Sequence, residues 1–358
     1  MTRIPTLDGW RAAAISLVVM CHLGECFYPN QADYEQSFAL NGAFGVDIFF
    51  AISGLLITKL LLEEFDGSGS FHLQRFYLRR AFRILPAYFA FLIAHTILGL
   101  WRSSWEIASC LLFFRNYIPD AMASKGTVHL WSLAVEEHFY LLWPGLLAWL
   151  GPRRAKNWPA ALALAVGMWR LIDSQLATPL LPQVFYRFRT DLRLDALLWG
   201  CAIAFALQNE KAREKLKKQL PFAGMVVIVA IIVLSMRYFT PMTSLMIAAL
   251  IPFVLAATLL HPNWLLSRML ESGPLVWVGR ISYSLYLWQA IFLIPQWEHP
   301  LEWWRQWPGN LILCLIVAPL SYYLIEKPLI RVGQRLAARV ISFPNQEKLD
   351  AVVPVASV

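Results

Sequence analysis

Residues 7–22 read LDGWRAAAISLVVMCH. They belong to an apolar run, 7–28, of the length an α-helix needs to cross the hydrocarbon core of a bilayer. The run is too long for the h-region of a signal peptide and no small-residue cleavage site follows, so it reads as a retained helix. An ionisable group inside such a run is costly unless it pairs or lines a wet cavity, which makes it a functional candidate. Arg11 and His22 stand eleven positions apart. At about 100° per residue this is three turns plus roughly 20°, so both side chains fall on one stripe, about 16 Å apart along the axis. Asp8 shares the stripe. A cation suited to phosphate thus stands at one end of the helix and a group able to accept a proton at the other. The plainer alternative is an Arg11 that snorkels and pairs with Asp8, and a His22 that is only a polar terminus.

The apolar pattern repeats along the chain. Runs of similar length occur at 43–63, 82–101, 132–151, 158–176, 192–208, 221–237, 242–260, 276–295 and 309–329. With 7–28 they predict an all-α, polytopic membrane protein of about ten transmembrane helices. Segment 105–118 is shorter and is expected to be re-entrant or interfacial. The proline of SYYLIEKP, 321–328, is expected to stop the last helix. Apolar residues make up 58% of the chain and charged residues 15%, against about 25% charged in soluble domains, so a large soluble enzyme is disfavoured. Sixteen tryptophans suit aromatic belts at two membrane faces.

The net charge of +8 would suit nucleic acid. However, the Lys and Arg residues fall in short clusters between apolar runs, the pattern that orients a membrane protein, and no nucleic-acid partner is expected. Placing both termini inside puts roughly twice as many basic residues on the inner segments as on the outer ones. The loop 29–42, with Asp33 and Glu35 and no Lys or Arg, then falls outside. Residues 1–340 are expected to form one transmembrane domain, basic and amphipathic from 328 to 340. Residues 341–358 are expected to be a cytoplasmic tail without fixed structure. Five scattered cysteines with no CxxC pair argue against a disulfide framework or a zinc site, and no metal is expected. P-loop, GxGxxG and GxSxG motifs are absent.

Further candidates sit at the ends of the runs. GVDIFFAISGLLIT, 45–58, carries Asp47 at its start, where a carboxylate also suits the helix dipole. FHLQRFYLRRAFRILP, 71–86, places Arg80 and Arg83 one turn apart, fit for bidentate phosphate binding or for an anionic lipid surface. In VHLWSLAVEEHFYLLWP, 128–144, His129, Ser132 and Glu136 share a face while Glu137 points about 100° away. These could perform acid/base work, or Ser132 could simply cap a helix with acids in its first turns. Arg193 and Asp195 in RLDALLWG, 193–200, read as a structural ion pair. Cys21 faces away from its neighbour His22, which disfavours a thiol nucleophile.

Taken in order, these segments resemble acyltransferase family three, the bacterial transmembrane acyltransferases that O-acylate cell-surface and exported glycans and some secondary metabolites. The resemblance rests on the Arg11/His22 stretch, GVDIFFAISGLLIT, the Arg80/Arg83 pair, HLWSLAVEEHFYLLWP, RLDALLWG, GRISYSLYLWQ (279–289) and SYYLIEKP, in that order from residue 5 to residue 332. It implies an acyl-coenzyme A donor from the cytoplasm, with acetyl-CoA the default, a glycan-type acceptor hydroxyl reached from the outer side, and residence in the bacterial inner membrane. It marks Arg11 and His22 as the functional pair, Arg80 and Arg83 as donor-binding and Glu136 as important. Asp8, Asp47, His129, Ser132, Glu137 and Asp195 are supporting candidates.

The expected mechanism has the donor phosphates near Arg11, Arg80 and Arg83, and His22 taking the acceptor's proton. Glu136 orients His22 or stabilises its charge, and either direct transfer or an acyl-histidine intermediate follows. Two departures bear on a proton relay. Gln289 stands where the family often has His, and His138 where it often has Gln. The chain is expected to act without the extracytoplasmic esterase-like domain that some family members carry, either alone or with a separate extracytoplasmic acyltransferase partner. The rival readings are a glycan or lipid transporter or flippase, although no inverted repeat is visible, and a small glycoside or macrolide-type metabolite as acceptor.

Overall fold

The computed structural model describes residues 3–28, 42–176, 188–236, 240–294 and 303–340. All regular structure among them is helical, and a helix lies on every predicted apolar run. In chain order the helices are α1 (Pro5–Phe27), α2 (Gly45–Ser68), α3 (Leu73–Ile97), α4 (Ser104–Leu111), α5 (Lys125–Val128), α6 (Leu130–Ala155), α7 (Trp158–Gln175), α8 (Thr190–Gln208), α9 (Glu210–Gln219), α10 (Phe222–Met236), α11 (Pro241–Leu260), α12 (Leu265–Leu270), α13 (Gly273–Phe292) and α14 (Gly309–Ser321). A π turn, Tyr322–Glu326, leads into α15 (Lys327–Arg339). The proposed tail, 341–358, and most of the loop with Asp33 and Glu35 lie outside the described residues.

Four segments are long and apolar enough to cross a bilayer: Pro5–Phe27, Gly42–Ser68, Pro241–Leu260 and Gly309–Arg339. A fifth is added if Glu210–Gln219 and Phe222–Leu234, bent by 75°, act as one span. Others on the predicted runs fall short for a physical reason. Helix α3 carries four arginines, and α6 carries Glu136, Glu137, Arg153 and Arg154. The exterior is apolar, with Ile97, Trp149 and Leu324 each more than 70% exposed, while Asp47, Glu106 and Asp195 are buried. Apolar groups outside and charges inside reverse the soluble arrangement and suit a membrane protein.

Long-range contacts fix the relative directions of the helices. Helices α2 and α8 run parallel, with Asp47 bonded to Arg193 at their starts and Asp66 to Gln208 at their ends. They cross where Gly54 and Gly200 let the backbones meet. A Cβ on Gly54 would lie 1.8 Å from the Leu197 carbonyl oxygen, and one on Gly200 2.3 Å from that of Ala51. Such small-residue contacts replace hydrophobic driving force between helices in lipid. Helix α6 runs in the same sense, since Ser53 bonds Glu136 and Thr58 accepts from Trp143 Nε1. Helices α1, α3 and α13 run the opposite way. Asp8 backs onto Gly279, the Tyr283 hydroxyl reaches the Ile84 carbonyl, and Cys26 reaches the Ile294 carbonyl.

One expectation needs correction. Pro328 does not end the last helix. It sits in the first turn of α15, where its missing N–H costs nothing, and the π turn carries the backbone through to Arg339. Helix α15 is the expected basic amphipath, with Gly333 packed against the Phe82 side chain. Segment 105–118 consists of α4 followed by a 3₁₀ turn, Arg115–Tyr117. It is clasped by the fully buried Glu106, which accepts from the backbone N–H of Arg102 and from the hydroxyls of Ser124 and Thr127.

Candidate active site

A cavity of about 750 Å³ lies between α1, α2, α3, α6 and α13, lined by Arg11, Ser53, Arg80, Arg83, Glu136 and Tyr286, with apolar walls such as Phe49 and Ile84. It shares Arg11, Leu56, Arg80 and Arg83 with a larger cavity of about 1300 Å³ at the Pro5 end of the bundle. Arg3, Asp8, Glu64, Arg79, Arg280 and Glu326 line that outer space. The two form a basic vestibule leading into a narrower, mixed chamber.

Helix geometry accounts for the arginine cluster. Arg80 and Arg83 are one turn apart on α3, and α1 presents Arg11 from the other side. Arg11 is held by Asp8 at 2.7 Å, so the predicted pair is present. Arg80 and Arg83 make no ion pair among the described residues. Arg80 instead lies over the Tyr140 ring, 4.9 Å from its centroid, and over Phe76 at 5.7 Å. Three guanidinium groups thus surround one chamber, an arrangement chemically suited to an anion.

Glu136 is gripped at both oxygens. The Ser53 hydroxyl donates to Oε1 at 2.7 Å and the Tyr140 hydroxyl to Oε2 at 3.1 Å. Tyr140 therefore joins the carboxylate to the Arg80 guanidinium. Ser132 lines the same chamber one turn earlier on α6, hydrogen-bonded to the Tyr286 hydroxyl at 2.6 Å. That hydroxyl also donates to the His129 carbonyl at 2.5 Å. The His129 ring is buried between Phe91 and Tyr286, and both its nitrogens lack a hydrogen-bond partner. Glu137 faces elsewhere, as its offset predicts, with Oε1 buried and unbonded.

His22 is not among the residues lining the arginine chamber. It sits toward the far end of α1, with Glu25 Oε2 3.8 Å from its Nδ1, and within electrostatic reach of His129. The expected support of His22 by Glu136 is therefore absent. Glu136 lies nearer the Arg11 end, and Glu25, one turn along the same helix, is the carboxylate beside His22. Of the two departures, Gln289 is fully buried with neither amide atom bonded, and His138 bonds the Thr190 hydroxyl at 2.7 Å. They do not contact each other through any hydrogen bond among the described residues.

Asp47 and Asp195 belong to a separate cluster. Asp47 bonds Arg193 at 2.8 Å, and Asp195 pairs with Arg170 of α7. The expected Arg193–Asp195 pair does not form, because residues two apart on a helix point about 200° apart. Sequence reading missed Glu25, Ser53, Tyr140, Arg170 and Tyr286. Hydroxyls and tyrosines in apolar runs carry no mark of their own, and the partners of buried charges lie on distant segments.

Residues 4–326 match the family described as "Acyltransferase domain". Among curated relatives, the peptidoglycan O-acetyltransferase OatA of Listeria monocytogenes is 29% identical over 92% of this chain and 56% of its own length. The putative peptidoglycan O-acetyltransferase YrhL of Bacillus subtilis is 30% identical over 94% of this chain and 56% of its own. Putative O-acetyltransferases of Staphylococcus aureus are 30% identical over 93% of this chain and 58% of theirs. The chain thus spans little more than half the length of these relatives. No solved structure matches it. A family match across nearly the whole chain means that the chain belongs to acyltransferase family three.

Proposed function

We propose that this chain is a multi-pass, inner-membrane O-acetyltransferase that moves acetyl from acetyl-coenzyme A, bound at the Pro5 end, to a hydroxyl of a cell-envelope glycan at the opposite end. The observation that carries the reading is the vestibule and chamber joined at Arg11, Arg80 and Arg83. Coenzyme A presents phosphates on one end and a long thin arm on the other, which suits a basic vestibule opening into a narrow mixed channel. The Pro5 end also carries the charged α9 and the basic α15, which favours the cytoplasmic side.

In the proposed step the acceptor oxygen attacks the thioester carbonyl, the C–S bond breaks, and coenzyme A leaves as a thiolate that takes up a proton. His22 accepts the proton of the acceptor hydroxyl, and Glu25 positions its ring. Glu136, held by Ser53 and Tyr140, positions Arg80 and Arg11 rather than His22. Peptidoglycan, named for two of the relatives, is the first acceptor to try.

The test is transfer of labelled acetyl from acetyl-coenzyme A to a glycan panel in membranes containing the chain, beside Arg11→Ala and His22→Ala. Loss of label in both folded variants is expected. Transfer that survives in His22→Ala removes His22 as the base. Thermal stabilisation by glycan alone, with no response to acetyl-coenzyme A, overturns the enzyme reading in favour of a transporter.

A further inference from the structure

At the end of the bundle where α2, α6, α8 and α11 begin, opposite the arginine vestibule, lies another cavity of about 700 Å³. Asp47, Trp131, Arg170, Asp173, Ser174 and Arg193 line it.

The charges here are paired but not exhausted. Asp47 Oδ1 bonds Arg193, Asp195 pairs with Arg170, and Asp173 bonds Arg189 at 3.0 Å. Yet Asp47 Oδ2, Arg170 Nη1 and Arg193 Nε are buried with no hydrogen-bond partner. Asp47 is 1% exposed and Arg170 7%. Buried polar atoms in this condition are costly and ask for a ligand that completes them. The ligand must offer donors and acceptors side by side, since a carboxylate oxygen and guanidinium N–H groups are both left over. A polyphosphate would be repelled by Asp47 and Asp173, and an acyl chain would satisfy none of these atoms. Vicinal hydroxyls satisfy both kinds.

The remaining wall is aromatic. Trp131 stacks on Phe188 with centroids 4.3 Å apart, and Arg193 lies over its ring at 5.4 Å. A polar cluster beside an aromatic wall matches a sugar ring, which has a hydroxyl edge and an apolar C–H face. The position is also apt. Trp131 precedes Ser132, which lines the arginine chamber, and its ring meets Phe50 of that chamber edge-on at 5.9 Å. One aromatic layer separates the two spaces.

We propose that this cavity is a saccharide site, with Asp47 and Arg170 binding ring hydroxyls and the Trp131–Phe188 wall packing on the ring. Its role as the acceptor site rests on the acyl-transfer reading, whereas the binding itself does not. The test titrates purified full-length chain in detergent, by calorimetry, with two probes: a tetrasaccharide of alternating N-acetylglucosamine and N-acetylmuramic acid, and maltotetraose. Ser174→Trp fills the cavity from a half-buried position that carries no ion pair, and Asp47→Asn removes the carboxylate. Either variant is expected to weaken saccharide binding about tenfold or more, the scale of one buried group left unpaired. Arg80→Gln should not affect it, and the thermal shift with acetyl-coenzyme A should persist in Ser174→Trp.

Binding of neither probe to the unaltered chain, or binding unchanged in Ser174→Trp, overturns the proposal even if Asp47→Asn fails to fold. Saccharide binding that follows these variants without any acetyl transfer leaves the site standing and removes the acyl-transfer reading. Transfer that proceeds with the cavity filled overturns its role as the acceptor site and leaves the transfer reading intact.

Discussion

Tyr140 is the residue on which the arginine chamber turns. Its ring supports the Arg80 guanidinium and its hydroxyl closes the grip on Glu136. Lysine in place of Arg80 keeps the charge but loses the planar stack and the paired donors. Arg80→Lys is therefore expected to raise the KM for acetyl-coenzyme A about tenfold with a smaller change in kcat, as steady-state kinetics in membranes would read. His22→Ala is expected to do the reverse, lowering kcat by about 10²–10⁴-fold with little change in donor affinity. A parallel loss of both constants would mean that His22 supports the fold instead.

Arg11 and Glu136 were legible in the sequence because charge in an apolar run stands out against the cost of burying it, and Arg80, Arg83 and Ser132 through their helical spacing from other polar residues. Ser53, Tyr140 and Tyr286 were not, since hydroxyls in a helix satisfy themselves cheaply and mark nothing. The Asp47–Arg193 pair joins residues 146 positions apart, and no local pattern encodes such a distance. The assignment of Glu136 to His22 failed for a related reason: periodicity places residues on a helix face but not at a depth shared with another helix.

At the scale of elements, hydropathy located each long helix, because length and apolarity are local properties. Packing was not legible in the same way. The α2–α8 crossing depends on Gly54 and Gly200, which appear in the sequence only as two small residues among many. Alanine at Gly54 would drive its Cβ into the Leu197 carbonyl oxygen, a backbone atom that cannot step aside. Gly54→Ala is expected to cost about 1–3 kcal/mol or more, seen as a lower Tm in detergent. Gly145 of α6 provides the comparison, since a Cβ there meets nothing within 4 Å. Gly145→Ala is expected to leave the Tm unchanged or raise it, by up to about 1 kcal/mol of helix propensity. Pro328 misled because a proline one turn into a new helix and a proline ending an old one look identical in sequence.

For the whole molecule, the parallel and antiparallel contacts define two ends, and the proposed orientation puts the Pro5 end inside. Ser70 follows α2 at that end and Ser104 opens α4 at the other, both exposed. All five native cysteines are buried, so single cysteines at these positions report cleanly. An impermeant maleimide is expected to label Ser104→Cys on intact cells and Ser70→Cys only after lysis. The opposite pattern would invert the molecule and with it the donor's side.

The contact between Phe50 and Trp131 takes on a particular meaning in that frame. A protein working as proposed is not a conduit. The coenzyme and the glycan stay in their own compartments, and the only traffic between them is a two-carbon fragment handed past a pair of rings. The cell loses no carrier molecule to the outside with each turnover. The activation made with cytoplasmic metabolism reaches a surface where no such chemistry is available, while the permeability barrier stays closed behind it.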